Sequence, residues 1–292
     1  MDAEIEQAYD LCRSITHRYG ANFSVGFRFL PRAKRRAVYA AYAFCRVADD
    51  IADEEAGGSA PDLPGATTLD RLDAWQAELD RIYGGTPAYP IGVALADTLR
   101  SFDIPREAFV ALIDGCRQDV VKTRYETFEE LLNYCRLVAA SISDISLAIF
   151  GYRTPAALGY GRALSTALQL TNVTRDIGDD LGRGRVYVPQ EELRRFGVTE
   201  DELFARAGTP AMRSMIEFEI DRAEGYFKAA EPLLGELDFD ARFPVLLMGG
   251  VYATVLRKLR HDPLGVLCRR LSLSKWQKLA VIASRLIRPR FV

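Results

Sequence analysis

Apolar residues recur at helical spacing along nearly the whole chain, and the alternation expected of a strand is hard to find. Tyr39, Tyr42, Ala43 and Arg46 share one helical face, as do Leu131, Tyr134, Cys135, Val138 and Ile142. Breakers cluster at residues 54–68, 83–90, 150–155, 182–189 and 206–210, which cuts the chain into helices joined by loops. None of these loops is long enough to read as an interdomain linker, and no repeat is visible. The pattern predicts one all-α domain over residues 1–292.

A chain of 292 residues, 49% of them hydrophobic, can bury a substantial core. Its net charge of −2 gives no electrostatic case for binding nucleic acid. Cys12, Cys45, Cys116, Cys135 and Cys268 lack CxxC spacing and suit buried thiols in a reducing cytoplasm. With His17 and His261 the only histidines, a histidine-rich metal site and a Ser-His-Asp triad are both disfavoured. The start, MDAEIEQAYDLC, is acidic and lacks the apolar stretch of a signal peptide, and no unbroken apolar run reads as a membrane span. A cytoplasmic location is expected. The C-terminal stretch is different, with no acid after Asp262 and Arg269, Arg270, Lys275, Lys278, Arg285, Arg288 and Arg290 among apolar residues. It can be read as a basic helix lying peripherally on a membrane, or as a helix packing its apolar stripe on the core. The second reading is preferred because the stripe is not unusually wide.

Acids sit inside apolar helical stretches twice. In YAFCRVADDIADE, residues 42–54, Asp49 and Asp53 are four apart, so their carboxylates leave one helical face about 6 Å apart at Cβ. In LQLTNVTRDIGDDLGRGRVYVP, Asn172, Asp176 and Asp180 follow the same line. Like charges at this spacing destabilise an isolated helix, and apolar companions make matters worse. Two such rows need a cation. Donors that are all oxygens suit Mg²⁺, which takes one or two carboxylates together with waters and substrate phosphates. Arg46 lies one turn before Asp50, while Arg175 and Arg185 flank the second row, an arrangement suited to a diphosphate. The bland alternative is a pair of solvated helix faces, the usual explanation of one isolated DxxxD. A second row, reinforced by Asn172 and Gln169, weighs against it.

These two segments resemble the signature segments of the squalene/phytoene synthase family. Between them, DGCRQDVVKTRYETFEELLNYCRLVAASISDISLAIFG is similar to the family's central region, and NFSVGFRFLP to its first substrate-pocket helix. The similarity runs from about residue 8 to residue 270. It implies an isoprenoid synthase fold, a single-domain helical bundle around a central cavity. It also implies head-to-head (1′-1) condensation of two prenyl diphosphates through a cyclopropyl diphosphate, with Mg²⁺ or Mn²⁺. Matched motif by motif, Asp49, Asp53, Asn172, Asp176 and Asp180 become the metal ligands. Tyr42, Arg46, Tyr134 and Tyr252 become the residues beside the reacting atoms. Arg46 matches an arginine that contacts diphosphate and Gln169 a polar residue beside the second cluster; with Asn172, and with Arg175 and Arg185 from the spacing above, they are the candidate diphosphate-binding residues. Arg183 to Pro189, with Tyr187, matches a flap over the site. Phe23, Phe27, Val138 and Ile142, with Leu137, Ile145 and Leu168, would line the prenyl tails, although helical stripes are more often plain core. Tyr19 stands where some relatives have histidine.

The resemblance favours a phytoene-type enzyme joining two C20 units. A C30 enzyme is the alternative, joining two farnesyl units to presqualene diphosphate, squalene or dehydrosqualene, with NADPH only in the squalene case. A non-catalytic helical scaffold is the third reading; aligned like charges argue against it, because a scaffold has no physical reason to keep them. The expected partners are the prenyl diphosphates; oligomeric state is left open.

Overall fold

The structure, a computed structural model, describes residues 2–19, 24–53, 65–287 and 290–291. As the periodicity predicts, it is all-α. Among the described residues the only β pairing is two isolated bridges, Arg124 with Val186 and Tyr152 with Leu237. The breakers act where the sequence puts them. Helix α1 is Asp2–Tyr19, α2 is Arg32–Ala52, and α3 is Thr68–Tyr83, opened by a reciprocal cap between Thr67 and Asp70. Past Tyr83 the chain turns at Gly85, whose φ of 78° favours glycine. Helices α4 (Pro90–Leu99), α5 (Arg106–Val121) and α6 (Phe128–Cys135) follow. A π-helical turn over Arg136–Ala140 joins α6 to α7 (Ser141–Phe150). Then come α8 (Ala156–Arg175), α9 (Ile177–Gly182) and α10 (Pro210–Ala230), the last capped by Thr209 with Pro210 in its first turn. The final long helices are α11 (Phe239–His261) and α12 (Lys275–Ile287).

Packing divides the chain into two compact units, where the sequence reading treats residues 1–292 as one domain. One unit comprises residues 1–121, 141–158 and 236–244; the other comprises 122–140, 159–235 and 245–292. No linker marks the division, because the chain changes unit within helical stretches at residues 140–141 and 244–245. In the first unit α2 is the centre, contacting α1, α3, α4, α5 and α7. Its run of buried Ala37, Ala40, Ala41, Ala43 and Ala48 lets neighbours approach on several sides. Phe44 anchors it, stacked on Trp75 at 4.7 Å and edge-on to Phe109 at 5.2 Å, while Trp75 Nε1 donates to Phe44 O at 3.1 Å. In the second unit the helix Gln190–Phe196 packs on α10, where Arg222 pairs with buried Glu192 and Glu219 and lies over the Phe128 ring.

Three expectations need correction. Two helical stretches of 23 residues, Phe128–Phe150 and Phe239–His261, are long and apolar enough to cross a membrane. The sequence reading missed them because charged residues, Arg136 and Asp144 in the first and Asp240 and Arg242 in the second, interrupt the run while the average stays apolar; the second is mostly buried, as a core helix is. Cys268 is exposed, unlike the other four thiols. Finally, α12 does not hide its apolar stripe: Val281 and Arg285 are buried, whereas Trp276 and Leu279 are exposed.

Truncating Trp75 to Ala should remove the centre of the Phe44–Trp75–Phe109 cluster and cost about 3–5 kcal/mol, as for other large buried aromatics. Chemical denaturation of the variant beside the parent chain would measure it.

Candidate active site

The first aspartate row ends α2. Asp53 N–H bonds Asp49 O at 2.9 Å, so the i, i+4 register holds into the last turn. Asp50 is buried and pairs with Arg46 one turn earlier. The Arg46 guanidinium also lies over the Tyr19 ring, 4.5 Å from its centroid. Asp49 occupies a recess: its side chain meets water, yet the protein around it is dense enough to desolvate the carboxyl. That desolvation pushes it up to about 7, helped by Asp53 and Asp119 and opposed by Arg46 and the Cys116 thiol, 3.6 Å away. Half-buried Tyr42 is pushed up to about 12, chiefly by burial, so its phenol stays neutral beside Asp49.

The second row crosses a break between helices. Asp176 alone separates α8 from α9, but the backbone ladder runs on, from Asp176 N–H to Asn172 O and from Asp180 N–H to Asp176 O, both at 2.9 Å. Asn172, Asp176 and Asp180 therefore stay in line. Two arginines fork onto Asp176. Arg175 does so through Nε at 2.8 Å and Nη2 at 2.5 Å; Arg270 does so through Nε at 2.9 Å and Nη2 at 3.1 Å. Arg270 can reach across because α9 rests on the turn Pro263–Leu267: a Cβ on Gly178 would lie 2.5 Å from Val266 O and 2.7 Å from Leu267 O. Buried Tyr252, on α11, hydrogen-bonds Asn172 and Arg175, and burial raises its pKa. Asp180 is pushed up to about 7, first by desolvation and then by Asp176, with Arg183 and Arg185 opposing. Asn172 Nδ2 lies 3.4 Å from Gln169 Oε1, whereas Asn172 Oδ1 is buried with no donor in reach.

The segment Arg183–Pro189 is fastened at both ends of its turn. Arg185 N–H bonds Asp180 O and Val186 N–H bonds Thr123 O, each at 2.9 Å, with Gly184 at φ 74°. Tyr187 then stacks on Tyr125 at 5.6 Å and meets Tyr134 at 5.4 Å, while Tyr125 and Tyr134 are 5.5 Å apart. Tyr134 and Tyr187 thus belong to one three-ring cluster. Val138 is half-buried on the π turn, an element frequent at functional sites, and Ile142 on α7 stays exposed. Phe27 is half-buried, edge-on to Tyr39 at 6.3 Å. Ile145, by contrast, is plain core. Phe23 lies outside the described residues.

Both rows fit a hard divalent cation. Their donors are all oxygens, Asn172 Oδ1 is a buried acceptor without a donor, and desolvation works against the charge on Asp49 and Asp180. Among the described residues no three His, Cys, Asp or Glu converge, so each row is a partial ligand set of the kind that substrate phosphates and water complete. Asp49 and Asp53 belong to the first unit, and Asn172, Asp176 and Asp180 to the second. Sequence reasoning passed over Arg270, Tyr125, Cys116 and Asp119. Arg270 sits 94 residues from its partner and carries no local signal; Asp119 lies on α5 at no ladder spacing.

A family model described as squalene/phytoene synthase matches residues 16–277. A 15-cis-phytoene synthase of Synechococcus elongatus is 35% identical, the match covering 98% of this chain and 94% of that protein. A phytoene synthase of Mycobacterium tuberculosis is 38% identical, covering 97% and 92%. Among solved structures, a squalene synthase from Alicyclobacillus acidocaldarius superposes with a TM-score of 0.81 at 33% identity, covering 89% of this chain and 95% of that one. A ligand-bound dehydrosqualene synthase gives a TM-score of 0.84 at 25% identity, covering 97% and 96%.

The raised carboxyls set the sign of a pH effect. Asp49 and Asp180 hold protons in the fold up to about 7, well above the ordinary value of 3.8. Without a divalent cation their contribution to stability is fully present below that ordinary value and is lost as pH rises through about 7. A cation that binds the ionised form must act in the opposite sense. Added Mg²⁺ should therefore raise the melting temperature more at pH 8 than at pH 5. Thermal scans with Mg²⁺ and with EDTA at the two pH values check this, and an equal rise at both would count against these carboxylates as ligands.

Proposed function

The chain belongs to the squalene/phytoene synthase family, and on that premise we infer a prenyltransferase that condenses two prenyl diphosphates head to head, in the manner of a phytoene synthase. The observation that carries this reading is the second row, Asn172, Asp176 and Asp180, kept in register across a helix break and ringed by Arg175, Arg270 and Tyr252. The relatives at 35% and 38% identity are phytoene synthases over almost their whole length, which favours C20 substrates.

Asp49 and Asp53 would hold one divalent cation and Asn172, Asp176 and Asp180 another, Mg²⁺ by preference because the donors are all oxygens. A bound ion would supply positive charge to the diphosphate leaving group, which takes the electron pair of its C–O bond. The chain's own groups do the rest. Arg46, Arg175 and Arg185 supply guanidinium charge to the phosphates, and Gln169 presents an amide beside them. Arg175 is shared with Asp176, so a phosphate that approaches competes with that carboxylate for one fork. The phenols of Tyr42 and Tyr252, held neutral by burial, present rings and hydroxyls to an allylic cation without becoming bases. Tyr134 and Tyr187, fixed against Tyr125, offer a rigid aromatic wall. Phe27, Val138 and Ile142 provide accessible apolar surface for the prenyl tails.

Asp49→Ala and Asp180→Ala should each abolish turnover, by at least about 100-fold for a lost metal contact. Neither should lower the melting temperature, since each removes a desolvated carboxyl that is pushed up to about 7. Full activity in either variant would sink the assignment. Asp176→Ala should cost stability as well, because both of its guanidinium partners lose their acceptor.

Chain length is tested by competition between equal amounts of labelled C15 and C20 diphosphates, with and without NADPH. The C20 unit should be taken and a C40 hydrocarbon formed without NADPH. Exclusive C30 product would move the chain to the other branch. Enlarging half-buried Ala139, on the π turn, to Leu should shift preference toward C15, because overfilling a packed cavity costs about 1–3 kcal/mol.

A further inference from the structure

Helix α12 presents an apolar stripe to solvent. Trp276, Leu279, Ala280 and Ala283 fall at i, i+3, i+4 and i+7, and all four are exposed, Trp276 by 81% and Leu279 by 53%. The opposite side is fastened to the body of its unit. Val281 is buried, and buried Arg285 donates through Nη1 to Arg290 O at 2.6 Å. Fully buried Phe291 lies where a Cβ on Gly249 would be, and its N–H bonds Glu231 Oε1 at 2.9 Å. The helix is therefore held by one face and offers a tryptophan-bearing apolar face outward. A soluble protein has no use for such a stripe unless something covers it.

The charge around the stripe identifies the cover. Residues 263–292 contain no acid, in a chain whose net charge is −2. Arg269 and Arg270 are bound to Asp262 and Asp176, and Arg285 is buried. The segment as a whole is net positive, with no acid of its own. A Trp and Leu stripe set in a basic, acid-free segment is complementary to an anionic interface with an apolar interior. We propose that α12 lies on an anionic lipid surface, with Trp276 and Leu279 entering the boundary between headgroups and acyl chains. The purpose of that contact rests on the synthase reading: a hydrocarbon product without a polar group dissolves in a bilayer and not in water. The contact itself does not rest on it.

The chain carries its own reporter. It has two tryptophans, and Trp75 is fully buried against Phe44, so a change in tryptophan emission on adding lipid reports Trp276. The test uses the full chain with vesicles of pure phosphatidylcholine and vesicles containing phosphatidylglycerol, without substrate. A blue shift and co-sedimentation are expected with the anionic vesicles, much less with the neutral ones, and both should weaken at about 0.5 M salt. The double variant Trp276→Ser, Leu279→Ser should bind at least about tenfold more weakly, followed by co-sedimentation, while keeping the parent melting temperature. Turnover of detergent-dispersed substrate should be unchanged in that variant, which separates this proposal from the synthase assignment. Failure of the parent chain to bind anionic vesicles would overturn the proposal, as would undiminished binding by the variant. If instead the parent is a dimer that the double variant dissolves, with no affinity for lipid, the stripe joins two copies of this chain and the proposal is wrong.

Discussion

Aligned like charge is the constraint on which the rest depends. A helix that carries aspartates every fourth residue amid apolar neighbours pays for them in repulsion and lost hydration. The structure meets that cost differently at its two rows. In α2 the inward-facing acid, Asp50, pairs with Arg46, whose charge also acts on Asp49. At the second row the middle acid, Asp176, takes two arginines, while Asp180 and Asn172 stay under-solvated. In each case the closest guanidinium contact falls on one carboxylate, while desolvation still raises the pKa of its neighbour, Asp49 or Asp180.

The break at Asp176 has a place in this balance. Had α8 and α9 formed one uninterrupted helix, Gly178 would be an interior glycine with only its entropy cost. The contact of Gly178 with the carbonyls of Val266 and Leu267 instead brings the following turn within reach of the row and delivers Arg270. A backbone approach of a few tenths of a nanometre therefore decides which side chains surround the acids. The same glycine would look dispensable in any account limited to side-chain contacts.

Much of this was legible in the sequence, for a physical reason. Helical spacing is local, so α2, α8 and α9 could be drawn from the periodicity, and the ladders followed from arithmetic on those helices. The tyrosines at 134 and 187 and the segment 183–189 were found through motif resemblance alone. What the sequence hid is what requires tertiary proximity. Arg270 meets Asp176 from 94 positions away, Tyr125 joins its ring cluster by stacking on Tyr187, and Cys116 with Asp119 approaches Asp49 from α5. The division into two packed units was equally invisible, because it falls inside helical stretches and leaves no change of composition. The tail misled for another reason. Its periodicity was read correctly, but a stripe does not say which way it faces.

The interleaving of the two units bears on how the chain comes off the ribosome. The first unit is begun by residues 1–121 and completed only by 236–244, where Lys34 finds Asp238 at 3.1 Å and Asp240 at 2.7 Å. By then the whole of 159–235 has been made, and it must wait in turn for 245–292. The second unit cannot close until 245–292 are made, which forgoes the usual advantage of domains arranged one after another. A nascent chain of this design keeps the apolar helices of its second unit unpaired until translation is almost over. Its demand on chaperones should track elongation through the last fifth of the message more closely than that of a protein of equal size with sequential domains.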